Sequence, residues 1–156
     1  MAYAEQTTVP IERSRAEIER ILSRYGASQF ASGWGEGHAV IGFKAKDRLV
    51  RFDLPIPDRA DKKYIRDGRG TVRNPAYRQR AWEQDCRQRW RALALAIKAK
   101  LEAVETGITT FEQEFLAHIV LPGGQTVGAW IGPQLDEAYT NGSMPRMLPM
   151  LTEGRG

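Results

Sequence analysis

Between Arg59 and Arg91 the chain places eleven Lys or Arg against four Asp or Glu, so this segment carries +7, whereas the whole chain carries only +4. The remainder is therefore net acidic, and a cationic segment set in such a chain is suited to a polyanionic partner. If the residues after Asn74-Pro75 are helical, Arg80, Arg87, Arg91 and Lys98 fall within about 40° of one another around the helix axis and form one basic ridge. Cations on successive turns can neutralise phosphates along a nucleic-acid backbone, which gives affinity with little sequence information. Lys62, Lys63, Arg66, Arg69 and Arg73 stand just upstream, where a flexible loop could fold over the same strand as a clamp. Tyr64 and Tyr77 are interleaved with these charges and could stack on unpaired bases, which favours a single-stranded target. Against this stands a plainer account: exposed helix faces are usually charged, and Glu83, Asp85 and Glu102 can neutralise part of the ridge. Arg78, Arg89 and Lys100 lie on the other flank and are expected to cover the core edge with their stems.

Other chemistries find less support. His38 and His118 each lack a second His or Cys at metal-ligand spacing, so no metal site is expected. Cys86 falls on an apolar stripe, where a cysteine behaves as a small hydrophobe; a nucleophile paired with His118 would need proximity that the sequence does not encode. Gly33, Gly35 and Gly37 form a Gly-x-Gly-x-Gly run, but it joins two strands and no Lys-Ser or Lys-Thr follows, so it matches neither nucleotide fingerprint and no cofactor is expected. Asp53, Asp58, Asp61 and Asp67 are close in sequence as a hard cation would require, yet Asp53 ends a strand and the others lie in a segment rich in counter-charges, so solvation and local pairing explain them better. No catalytic residue is assigned, and a non-catalytic role is expected.

The elements that must position the basic residues follow from periodicity. Ser14 three residues before Glu17 forms a capping box, and Ile18, Ile21, Leu22 and Tyr25 continue at helical spacing until Gly26. From Gln29 to Pro55 the period becomes two, with faces Phe30/Ser32/Trp34, Ala39/Ile41/Phe43 and Val50/Phe52/Leu54 separated by turns at Gly35–Gly37 and Lys46–Arg48. This predicts a three-stranded antiparallel meander. Pro55 and Pro57 end it, and Asp58 to Arg73 reads as a long mobile loop. Asn74-Pro75 then opens a helix that runs to Thr106, with Gly107 as its cap and Trp82, Cys86, Trp90, Leu93, Ile97, Leu101 and Val104 on its buried stripe. A short helix opened by Thr109 and Glu112 is expected to bury Phe111, Phe115, Leu116 and Ile119, and Pro122-Gly123-Gly124 makes a turn. A last helical piece from Trp130 to Tyr139 meets Pro133, which is expected to start a separate turn. The fold class is α+β: the meander covered by the N-terminal helix and the long central helix, with short C-terminal helices beside them.

A chain of 156 residues with 42% hydrophobic content suits one domain, placed at residues 1–142, followed by a Pro/Gly/Met-rich tail over residues 143–156 that lies along the surface or frays. Cys86 is the one cysteine, so no internal disulfide forms. Neither a leader pattern nor 18 uninterrupted apolar residues occurs, so no membrane partner is expected and the default location is the cytoplasm.

The runs Cys86-Arg87-Gln88-Arg89-Trp90-Arg91-Ala92-Leu93, Ile97-Lys98-Ala99-Lys100-Leu101-Glu102-Ala103-Val104, Thr110-Phe111-Glu112-Gln113-Glu114-Phe115-Leu116 and Leu121-Pro122-Gly123-Gly124 follow one another in order, after the opening Val9-Pro10-Ile11-Glu12-Arg13-Ser14-Arg15-Ala16-Glu17-Ile18. This order resembles that of a group of uncharacterised small phage and prophage proteins. The resemblance implies a phage origin and action inside a bacterial host cell, and it carries over no catalytic residues. Three functions are then open: a nucleic-acid-binding accessory of phage replication, recombination or a related DNA transaction; an anti-defence inhibitor that binds a host protein; or an enzyme acting on nucleic acid, which would show metal-dependent turnover abolished by a single carboxylate substitution.

Overall fold

A computed structural model describes residues 4–144 of the chain. The tail expected over residues 143–156 lies, beyond Met144, outside the described residues. Helix α1 (Ile11–Tyr25) comes first, then strands β1 (Gln29–Gly35), β2 (His38–Ala45) and β3 (Arg48–Pro55). Helices α2 (Lys62–Ile65), α3 (Pro75–Glu105) and α4 (Phe111–Phe115) follow, then a 3-10 turn (Leu116–His118) and helix α5 (Val127–Asn141). The architecture is the expected α+β arrangement of a meander, an N-terminal helix, a long central helix and shorter C-terminal helices.

The strands pair antiparallel in the order β1-β2-β3, with Trp34↔Ala39↔Leu54 and Phe30↔Phe43↔Val50 in register. Lys46 and Asp47 both take positive φ (52° and 60°), the geometry of a tight hairpin turn whose twist matches that of the flanking strands. Ala39, Ile41, Phe43, Val50 and Phe52 therefore share one face, and against it pack Ile18 and Leu22 of α1 and Trp90, Leu93, Ala94, Ile97 and Leu101 of α3. Phe115 closes this core edge-on to Phe43 and Phe52, with centroids 5.9 and 6.2 Å away. Side chains turned to the opposite face, such as Val40, Gly42, Leu49, Arg51 and Asp53, remain outside the core.

Three of the helices differ from the sequence expectation. Helix α1 starts at Ile11, and the amides of Arg13 and Ser14 donate to the Pro10 carbonyl, both at 3.1 Å. Ser14 is thus not a cap: it is fully buried inside the first turns, and its hydroxyl has no hydrogen-bond partner among the described residues. Thr110 rather than Thr109 caps α4, accepting from the Gln113 amide, and the tightening to a 3-10 turn after Phe115 leaves Leu116 48% exposed while Phe111, Phe115 and Ile119 are buried. Helix α5 passes through Pro133 without a break. Both Pro133 and Ala129, whose carbonyl loses its donor, are exposed, so the freed group is not shut inside the core.

A further difference is at the sheet edge. The Val120–Thr126 hairpin around Pro122-Gly123-Gly124 returns to β3: Val50 bridges Ile119, the Val120 amide donates to the Leu49 carbonyl at 2.8 Å, and Arg51 Nη1 donates to the Gly124 carbonyl at 2.8 Å. One edge of the sheet is thereby occupied.

Candidate nucleic-acid interface

The segment expected to be a mobile loop is folded, and three aspartates fold it. Asp58 accepts from the Ala60 amide (2.9 Å), Asp61 caps α2 by accepting from the Lys63 amide (3.0 Å), and Asp67 accepts from the amides of Arg69 and Thr71 (2.9 Å each). Each carboxylate closes a turn on its own backbone two or more residues on. Those amides, first Thr71 and then Arg69, hold the Asp67 carboxyl below its ordinary range. Arg66 bridges Val72, and the Arg73 amide returns to the Ile65 carbonyl at 2.7 Å, so the stretch ends as a small hairpin. None of these aspartates gathers toward a cation site; among the described residues no three His, Cys, Asp or Glu side chains converge.

Tyr64 anchors this unit to α3. Its side chain is 2% exposed and its hydroxyl donates to Asp85, which also receives Lys63 Nζ at 2.9 Å. Burial, reinforced by the hydrogen bond to Asp85 and opposed by that with Lys63, pushes the Tyr64 phenol up to about 12. Partial burial pushes the Asp85 carboxyl up, but the bonds from Tyr64 and Lys63 and the Lys63 charge outweigh it and hold the group below its ordinary value. Tyr64 is therefore not placed to stack on a base, contrary to the sequence expectation, because the phenol that follows two lysines is turned inward. Tyr77 is 40% exposed, and the Arg73 guanidinium lies 4.4 Å above its ring.

The basic residues of α3 do not form one free ridge. Arg80 and Lys98 are exposed and make no salt bridge among the described residues. Between them, Arg87 donates through Nε and Nη2 to Gln84 Oε1 (3.1 and 2.6 Å), and half-buried Arg91 pairs with Glu17 of α1. Gln84 in turn donates to the Thr7 carbonyl at 2.7 Å, so the chain before α1 and α1 itself occupy this flank. At 100° per residue the ridge lies about 100–140° to one side of Cys86, whereas Asp85, which holds α2, lies about 100° to the other. The ridge and the Lys62–Arg73 unit thus sit on opposite flanks of α3. Lys62, Arg66 and Arg69 point outward; Arg66 Nη1 donates to the Gly70 carbonyl at 2.8 Å, and none of the three is in a salt bridge among the described residues. Lys100, as expected, lies along the core edge, 3.3 Å from the Glu114 carboxylate and 5.9 Å from the Phe115 ring.

Sequence reasoning missed a groove of about 820 Å³ on the core side of the sheet, lined by Trp34, Trp82, Trp90, Ile11, Ile56 and Cys86 among others. It gathers three of the four tryptophans. Trp82 donates through Nε1 to the Pro57 carbonyl at 2.7 Å and carries the Arg59 guanidinium 3.9 Å above its ring, while Trp90 is buried. Trp34 is 87% exposed although its register partner Ala39 is buried. The period of two put Trp34 on the correct face; nothing local revealed that the helices stop short of it.

Cys86 and His118 occupy different neighbourhoods. Cys86 is buried beside Trp82 and Trp90, and burial, followed by the Asp85 charge, pushes its thiol up, away from the thiolate a nucleophile needs. His118 stacks on Phe52 at 4.1 Å, and burial followed by the Lys100 charge lowers its pKa. Comparisons with protein-family models, with curated proteins and with solved structures give no match. Among the described residues no helix is long and apolar enough to cross a membrane.

Proposed function

We propose that this protein is a non-catalytic nucleic-acid-binding accessory of a phage, and that the folded unit from Lys62 to Arg73 is its main phosphate-contacting surface. The observation that carries this reading is the outward projection of Lys62, Arg66 and Arg69 from a small unit pinned by Asp67 and Tyr64, with no carboxylate paired to them among the described residues. A fixed cationic surface loses less conformational freedom on binding than a loop does, which favours affinity. Tyr77, beside Arg73, supplies a partly exposed ring next to this unit that supports a preference for unpaired strands. The partner is DNA or RNA inside the bacterial host cell, and the contacts read backbone rather than sequence.

Fluorescence anisotropy with labelled single- and double-stranded DNA and RNA across a salt series tests this. The wild type is expected to bind with strong salt dependence. Changing Lys62, Arg66 and Arg69 together to Ala is expected to reduce the slope of log K against log salt by about 2, since each phosphate contact contributes about 0.7–0.9. Absence of binding even at low salt overturns the reading. The protein would then be better explained as an inhibitor of a host defence protein, and a nuclease-resistant complex in a pull-down from host cells would identify that partner.

A further inference from the structure

The two edges of the sheet are treated differently. The outer edge of β3 is covered near Leu49 and Val50 by the Ile119–Val120 segment, and it carries Arg48, Arg51 and Asp53. The outer edge of β1, Gln-Phe-Ala-Ser-Gly-Trp-Gly, has no charged residue and no proline, and no other described strand pairs with it. Edge strands are ordinarily blunted by charge, proline, a bulge or a cover, and a strand lacking all of these presents open amides and carbonyls to another strand. Every position of β1 but Phe30 is exposed, so no helix among the described residues obstructs that approach.

We propose that two copies of this chain pair antiparallel through β1 about a twofold axis at Ser32, joining two three-stranded sheets into one six-stranded sheet. The sequence of β1 is self-complementary in this register. Ser32 meets Ser32 of the second copy, Ala31 meets Gly33, and Phe30 meets Trp34 on both sides of the axis. Directly opposed residues in an antiparallel pair point to the same face, and here that is the face of the Trp-lined groove. Each Trp34, 87% exposed in the single chain, is thereby covered by a phenylalanine at the mouth of the groove. Aromatic side chains bury about 150–250 Å² each, so the two tryptophans with Phe30 and the backbone edges approach the lower range of stable interfaces, about 1,200 Å². On the other face Ala31 and Gly33 present no bulk to the pairing. Because the edge of β3 is already covered, the association closes at two copies rather than growing into a filament.

The test uses the axis. Ser32 is exposed, so Ser32→Lys and Ser32→Asp leave the core untouched, yet each sets two like charges directly opposite one another. Analytical ultracentrifugation of the wild type is expected to give twice the mass of the chain, and each variant the mass of one chain with an unchanged circular dichroism spectrum. An equimolar mixture of the two variants is expected to recover the doubled mass. Ser32→Cys is expected to form an intermolecular disulfide on mild oxidation, since opposed Cα atoms lie about 4.5–5.5 Å apart, within the reach of a disulfide. The wild type, whose one cysteine is buried, is not. A monomeric wild type, an unaffected mass in both charged variants, or open-ended oligomers would each overturn the proposal. The charged variants leave Lys62, Arg66 and Arg69 in place, so nucleic-acid binding and self-association can fail independently.

Discussion

Tyr64, Asp85 and Lys63 form a polar group that joins α2 to α3, and it has a distinct pH signature. The Tyr64 phenol titrates at about 12 in the fold against about 10 in an unfolded chain, so its contribution is complete below pH 10 and is lost as pH rises from about 10 through about 12. Asp85 is shifted the other way: its contribution is present above the ordinary carboxylate pKa and is lost as pH falls through its lowered value in the fold. Tyr64→Phe is expected to cost about 1.5–3 kcal/mol at neutral pH, the range for a hydrogen bond to a charged group, and to flatten the alkaline loss. Urea unfolding of wild type and variant at pH 7, 10 and 11.5 measures both (pH values chosen to bracket about 10 to about 12). Ser14 gives a prediction of the opposite sign. As an N-cap its removal would cost about 1 kcal/mol; as a fully buried hydroxyl with no partner among the described residues, its replacement by Ala is expected to stabilise by roughly 1 kcal/mol. The direction of the urea midpoint decides between the two positions of the helix start.

At the scale of elements, α5 depends on a close approach. A Cβ added at Gly128 would lie 2.9 Å from the Ala117 carbonyl oxygen, a backbone atom of the 3-10 turn that cannot move aside independently. Ala is favoured over Gly in a helix by about 1 kcal/mol, but overpacking costs about 1–3 kcal/mol. Gly128→Ala is therefore expected to destabilise by about 1 kcal/mol rather than stabilise, with the loss read as a lowered thermal midpoint. Helix boundaries were legible where a local signal acted alone, as at Asn74, whose side chain accepts from the Tyr77 amide at 2.7 Å, and at Gly26, which takes φ 105°. They were illegible where two signals competed: Ser14 with Glu17 imitates a cap, but Pro10 with its extended ψ of 154° starts the helix one turn earlier.

Across the whole molecule, charge and shape are segregated around α3. One flank carries α2 and the Lys62–Arg73 unit, and the other carries α1 together with Arg87 and Arg91, both engaged within the fold. Arg80→Ala with Lys98→Ala is accordingly expected to change nucleic-acid affinity less than the change of Lys62, Arg66 and Arg69, when the two variants are compared in the same salt series. An equal loss would instead require a strand that wraps both flanks.

Periodicity is a local property, and it was enough to place the meander, the long helix and its stripe of Trp90, Leu93, Ile97 and Leu101. What each face meets is set by residues distant in the chain. Asp85 took Tyr64 inward, Glu17 took Arg91, and the helices covered Ala39 but not Trp34. Gly68, Gly70, many charges and few apolar residues made the Asp58–Arg73 stretch read as a loop, because a carboxylate that caps its own backbone looks, in a sequence, the same as one left in water. Local spacing encodes the orientation of a side chain within its element, and only the packing of elements against one another decides whether that side chain ends in the core, in a salt bridge or in solvent.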